Sequence, residues 1–152
     1  MKQFKPRKQN RLNDYDYSNN GYYYVTICTY NREYIFGNVT NDEMILNRYG
    51  DIAKNSWLDL PNHHNGTELD QFIIIINNPA VGNGPARSSI KYQKRNNLSV
   101  IIGSYKSTIP KQINRINRNR TFKRQKSFHD HIIRIDESLN NIRNYIINNP
   151  TT

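Results

Sequence analysis

The run Gly21-Tyr22-Tyr23-Tyr24-Val25-Thr26-Ile27-Cys28-Thr29 decides the fold. In an extended chain Tyr22, Tyr24, Thr26 and Cys28 fall on one side and Tyr23, Val25 and Ile27 on the other, a β-branched and aromatic mixture suited to a pleated surface. Both sides are mostly apolar, so the strand belongs inside a sheet. Turn chemistry at Ser18-Asn19-Asn20-Gly21 leads into it. Further short strands are expected over 34–39 and 43–46, parted by the turn residues Asn41 and Asp42.

From Asn47 the period changes. Tyr49, Ile52, Ala53, Trp57 and Leu60 form one helical stripe that Pro61 closes, and residues 61–66 read as a loop. A strand over 68–76 follows, alternating at first and then apolar on both faces, and 77–89 reads as a linker rich in Gly, Pro and Asn. Leu98, Ile101, Ile102, Tyr105, Ile109, Ile113 and Ile116 mark a long helix with Lys106, Lys111, Arg115 and Arg118 mainly off its stripe, and Pro110 predicts a kink. Residues 128–135 have strand character. Asp136 can cap a last helix whose stripe is Leu139, Ile142 and Ile146, ended before Pro150. No internal repeat is present. Strands and helices in this order predict an α+β sandwich, with helices on an antiparallel sheet.

The 152 residues suit one domain, and 36% hydrophobic content with 11 Tyr and 5 Phe is enough to bury a core, which excludes wholesale disorder. Cys28 is alone and no charged-then-apolar leader opens the chain, so a cytoplasmic protein is expected. The apolar stretch Phe72 to Ile76 falls far short of the roughly 20 residues that cross a bilayer. The net charge of +10 is uneven: residues 1–11 carry five bases and no acid, and 87–134 carry thirteen bases against the single acid Asp130. This divides the chain into a basic arm, 1–17, and a domain, 18–152. It also points to a polyanion partner, because each phosphate neutralised by Lys or Arg releases condensed counterions.

Candidate chemistry is sparse. His63 and His64 are adjacent, so their side chains point apart in extended backbone, and no acidic or Cys cluster accompanies them. His129 and His131 are two apart on a strand and share a face, as a pair holding one divalent ion or as an exposed pair beside Asp130. Tyr145 lies beside the stripe of the last helix with Asn149 one turn later. They read as a nucleophile and a ligand, or as a half-buried aromatic and a helix terminus. The residues alone stop at a basic α+β nucleic-acid binder.

A resemblance extends this. Asn13-Asp14-Tyr15-Asp16-Tyr17, the run 21–29, Glu43-Met44-Ile45-Leu46-Asn47-Arg48-Tyr49-Gly50 and Trp57-Leu58 resemble the amino-terminal half of REP-associated tyrosine transposases. Ile102-Gly103-Ser104-Tyr105-Lys106-Ser107, Phe128-His129-Asp130-His131-Ile132-Ile133-Arg134 and Tyr145-Ile146-Ile147-Asn148-Asn149-Pro150 resemble the remaining blocks in order. The resemblance implies a ferredoxin-like α+β sandwich and a single-strand DNA transposase of the HUH superfamily, in which a tyrosine attacks a DNA phosphate and becomes linked to its 5′ end. It also implies a Mg²⁺ or Mn²⁺ ion, held by two histidines flanking a hydrophobic residue and by a third polar ligand. Tyr145 matches the nucleophile and Asn149 the third ligand. Lys106, Lys111, Arg115, Arg124, His131 and Arg134 are the DNA contacts expected, with aromatic side chains stacking bases.

The chain departs from the pattern after Glu68-Leu69-Asp70-Gln71-Phe72. There the family has a strand end, a Pro-Asn turn and the His-hydrophobic-His pair, whereas here Phe72 joins Ile73 directly. The departure predicts that two antiparallel strands merge and the central hairpin is shortened, since a hairpin needs a turn of about two residues or more. It predicts weak or absent cleavage unless other histidines, such as His129 and His131, take over the metal. The alternative is a non-catalytic RNA- or DNA-binding module. Monomer and homodimer both fit the resemblance.

Overall fold

β1 (Gly21–Ile27) is an interior strand of a four-stranded antiparallel sheet, flanked by β5 (Ala86–Tyr92) and β6 (His129–Ile133). The computed structural model describes residues 15–17, 19–30, 35–41, 43–74, 86–92, 97–118, 122 and 128–148. The remaining elements are β2 (Gly37–Thr40), β3 (Glu43–Leu46), α1 (Arg48–Leu58), α2 (Leu60–His63), β4 (Thr67–Ile73), α3 (Leu98–Asn117) and α4 (Asp136–Asn148). The sheet runs β4-β5-β1-β6, and β2 and β3 form a separate hairpin. Each strand–helix–strand unit therefore places its two strands on either side of one antiparallel neighbour, which is the ferredoxin-like arrangement.

The alternation read in β1 is realised. Tyr23 and Val25 are fully buried and share one cluster with Ile90 of β5, Ala53 and Trp57 of α1, and Ile101, Ile102, Tyr105, Ile109 and Ile113 of α3. Trp57 and Tyr105 meet edge to face at 5.1 Å between ring centroids, a favoured aromatic geometry. Tyr15 and Tyr17 close one end of this core: Tyr17 is buried, and the Tyr15 and Tyr23 hydroxyls lie 3.1 Å apart. Ile133, Leu139 and Ile146 are buried apart from that cluster.

Local chemistry explains the boundaries. Asn47 caps α1, its Oδ1 accepting from the Tyr49 and Gly50 amides at 2.9 and 3.1 Å. Its Nδ2 donates to the Ile35 carbonyl at 2.9 Å, so one side chain ties α1 to the root of the β2–β3 hairpin. Asn97 caps α3 by accepting from the Ser99 amide. Arg118 follows α3 in the left-handed conformation, φ 53°.

Phe72 and Ile73 lie in the single strand β4, as the departure from the family pattern predicts, and β4 pairs antiparallel with β5. Two expectations are corrected. β5 begins inside the stretch read as a linker. The loop expected over 61–66 is partly helical, since Pro61 falls in the first turn of α2, where a missing N–H costs nothing. α3 includes Pro110 within its span, as its apolar stripe predicts.

Candidate nucleic-acid interface

α4 lies on the sheet face opposite α1 and α3. Direct pairing places Ser89 beside Tyr24, on the side away from Tyr23 and Ile90, and it is this side that reaches α4. β4 carries a bulge between Leu69 and Phe72: Leu69 faces Ile90 and Phe72 faces Ser88, so β4 has one residue more than β5. The buried Ser89 hydroxyl fills the gap in the ladder, accepting from the Gln71 amide at 3.2 Å and donating to Asp70 Oδ2 at 2.8 Å. Asp70 in turn receives Arg143 of α4, whose Nε and Nη2 meet the carboxylate at 2.8 to 3.0 Å. Burial raises the Asp70 pKa, but hydrogen bonds from Arg143 and Ser89 and the guanidinium charge outweigh it and hold the carboxyl below its ordinary value. The Arg143 guanidinium also sits 6.0 Å from the centre of the Tyr22 ring.

Tyr145 is two residues beyond Arg143 and 45% exposed. At about 100° per residue, it falls on the flank of α4 opposite Arg143, with the buried Leu139 and Ile146 between them. Its ring is therefore presented at the surface of the sheet-packing helix. His129 and His131 are exposed on β6, paired with Thr26 and Tyr24, and so share the sheet face that α4 packs on. Arg134 is exposed just past the same strand. Asn149 and Arg124 lie outside the described residues.

The expected α3 cations divide. Lys111 and Arg115 are exposed, whereas Lys106 is buried, with Nζ 5.9 Å from the centre of the Phe128 ring. All three belong to a helix on the other side of the sheet from Tyr145. The structure thus separates these α3 cations from the predicted nucleophile, whereas His131 lies on the sheet face that α4 covers.

The remaining histidines separate as well. His63 is exposed with Nε2 2.8 Å from Asp59 Oδ2, while His64 is buried, and burial lowers its pKa and keeps it neutral. Among the described residues no group of three or more His, Cys, Asp or Glu side chains is gathered as a metal site requires. Asp70, the carboxylate on the face beneath α4, already has both oxygens engaged by Arg143. Sequence reading missed Asp70, Ser89 and Arg143 altogether. The only available signal was a lone Arg on the inward stripe of an amphipathic helix, which demands an acid on the facing sheet.

No protein-family model matches the chain. An uncharacterized protein of Haemophilus influenzae is 30% identical over 159 residues, covering 95% of this chain and 88% of that protein. The chain belongs to the same family as that protein. The alignment is longer than the 152 residues of the whole chain, so it includes positions at which the relative has residues and this chain has none. Among solved structures, a REP-associated tyrosine transposase bound to a REP hairpin matches with a TM-score of 0.57 at 13% identity, covering 86% of this chain. The chain spans 66% of that transposase's length. The likeness is one of fold: an α+β sandwich with helices on a four-stranded antiparallel sheet. Among the described residues no helix is long and apolar enough to cross a membrane.

Proposed function

We propose that the protein is a tyrosine-transposase homologue that binds single-stranded or hairpin DNA, with strand cleavage weak or lost. The observation that carries this reading is the placement of α4, which sets a half-exposed Tyr145 at the margin of a ferredoxin-like sheet in a chain of net charge +10. The fold shared with a transposase bound to a hairpin supports the DNA partner. In this reading Lys111, Arg115 and Arg134 contact phosphates, and Tyr24 with His131 offers flat side chains for bases.

The weakened chemistry follows from the missing His-hydrophobic-His pair. Attack of a phenol oxygen on a phosphodiester builds charge on the phosphoryl oxygens, and that charge needs a cation or donors aimed at it. Asp70, on the sheet beneath α4, is held by Arg143 and makes no substitute for that pair. The positions absent from this chain in its alignment with the Haemophilus relative accord with a lost segment.

The test is incubation of the purified chain with Mg²⁺ or Mn²⁺ and hairpin-bearing single strands. Binding without a covalent protein–DNA adduct is the expected result. An adduct that disappears in Tyr145→Phe would establish an active enzyme instead. Tighter binding to RNA of the same sequence would move the reading to a non-catalytic RNA-binding module.

A further inference from the structure

A groove of about 340 Å³ opens between α1, α2 and α3, on the side of the sheet away from Tyr145. Its polar walls come from Asn55, Asp59, His63, Ser104, Thr108 and Gln112. The α3 contribution is regular. Ser104 and Thr108 lie one turn apart, and the same line continues through Lys111 and Arg115 at steps of three and four on the flank of the helix, with Arg118 following directly after the last helical residue. One helix edge is therefore neutral and hydroxyl-bearing in its first half and cationic in its second. Lys111 and Arg115 lie roughly 6 Å apart along the helix axis, a spacing that suits neighbouring phosphates of one strand.

The chemistry of the groove differs from that of the cation row. Among the described residues no Lys or Arg lines it, and the Asp59 carboxylate stays ionised, its pKa held down by hydrogen bonds from Asn62 and His63. A phosphate would be repelled there. Amide side chains, a carboxylate and an imidazole around a cleft of this size are instead the groups that read donor and acceptor edges of planar heterocycles. Each Asp59 oxygen takes one hydrogen bond within the protein and keeps a second lone pair, which selects for a ligand that donates N–H groups.

We infer that this groove is a nucleobase site, taking one unstacked base that bears an exocyclic amino group while Lys111, Arg115 and Arg118 hold the adjoining phosphates. The inference rests on the DNA-binding reading and adds a base-selective contact on the helix layer, remote from Tyr145. Adenine, cytosine and guanine offer the amino donor. Thymine does not.

The test compares binding of equal-length dA, dC and dT oligonucleotides to the full chain by fluorescence anisotropy. Binding to dA and dC about tenfold tighter than to dT is expected, the lower end of what one well-formed base contact discriminates. In Asp59→Ala, whose substituted side chain is exposed, the preference falls to within about twofold while dT affinity is unchanged. Retained preference in that variant, with an unchanged circular dichroism spectrum, overturns the groove assignment and leaves DNA binding intact. Failure to bind any oligonucleotide overturns the DNA-binding reading itself. Free deoxyadenosine monophosphate that displaces dT but not dA would identify a free-nucleotide site, and that also overturns the proposal.

Discussion

Arg143 on α4 and Asp70 on β4 are 73 positions apart and meet in a two-nitrogen clasp, with Nε and Nη2 of the guanidinium at 2.8 to 3.0 Å from the carboxylate. The clasp joins the chain's last described helix to the bulge of an edge strand. It forms because the bulge turns Asp70 toward α4 and because Ser89, wholly buried, secures the carboxylate from below. Replacing Asp70 by Ala strands the Ser89 hydroxyl and leaves Arg143 facing the Tyr22 ring without its acid. The expected cost is about 1–3 kcal/mol, the range for leaving a buried polar group unpaired. The urea midpoint should fall in Asp70→Ala, and amide exchange should accelerate in α4 before the α3 core.

The same clasp makes a pH prediction. The Asp70 pKa is held below its ordinary 3.8, so the carboxylate contributes stability above that value and loses it as pH falls through the lower, folded-state pKa. Asp70→Asn cannot titrate. The stability gap between the natural chain and Asp70→Asn should therefore be full near pH 7 and narrow below about pH 4, as denaturant titrations at several pH values would record. A gap independent of pH would mean that the pair contributes by shape alone.

Gly50 supplies a purely steric test. It is buried in the first turn of α1, and a Cβ there would collide with the Phe36 carbonyl and press on the Leu46 side chain at 2.9 Å. The β2–β3 hairpin leans on α1 at this point through the Asn47 amide, which donates to the same Phe36 carbonyl at 2.9 Å. Gly50→Ala should cost about 1–3 kcal/mol by overpacking, although alanine is the better helix former. Thermal melting distinguishes this from the gain that helix propensity alone would give.

How far these features can be read from sequence depends on whether the force is local. β1 is legible because each of its residues has the right side and the right shape, and α3 because its apolar stripe repeats over five turns. β5 is not. Ala-Arg-Ser-Ser-Ile-Lys-Tyr follows a Gly- and Pro-rich stretch and, among its described side chains, holds one fully buried aliphatic residue, Ile90. It is a strand because β1 and β4 supply ladder partners on both sides, a tertiary cause that leaves no periodicity. The resemblance singled out Tyr145. Nothing local marked Asp70 and Arg143 as partners, because an ion pair between distant segments has no spacing rule.

The division of cations between two sides of the sheet yields the sharpest prediction about DNA. Lys111 and Arg115 are exposed on α3 and Lys106 is buried against Phe128, although all three look alike in sequence. On single strands each released counterion steepens the dependence of log affinity on log salt by about 0.7. Lys111→Ala and Arg115→Ala should each flatten that slope by about this amount and weaken binding to every sequence alike. Lys106→Ala should leave the slope unchanged and instead lower the melting temperature, because its stem and charge are spent inside the protein. Tyr145→Phe should alter neither quantity. Anisotropy titrations between 50 and 200 mM salt, the range over which phosphate contacts change affinity most visibly, separate these cases. A flattened slope for Lys106→Ala, with none for Lys111→Ala, would show that DNA does not run along the outward edge of α3.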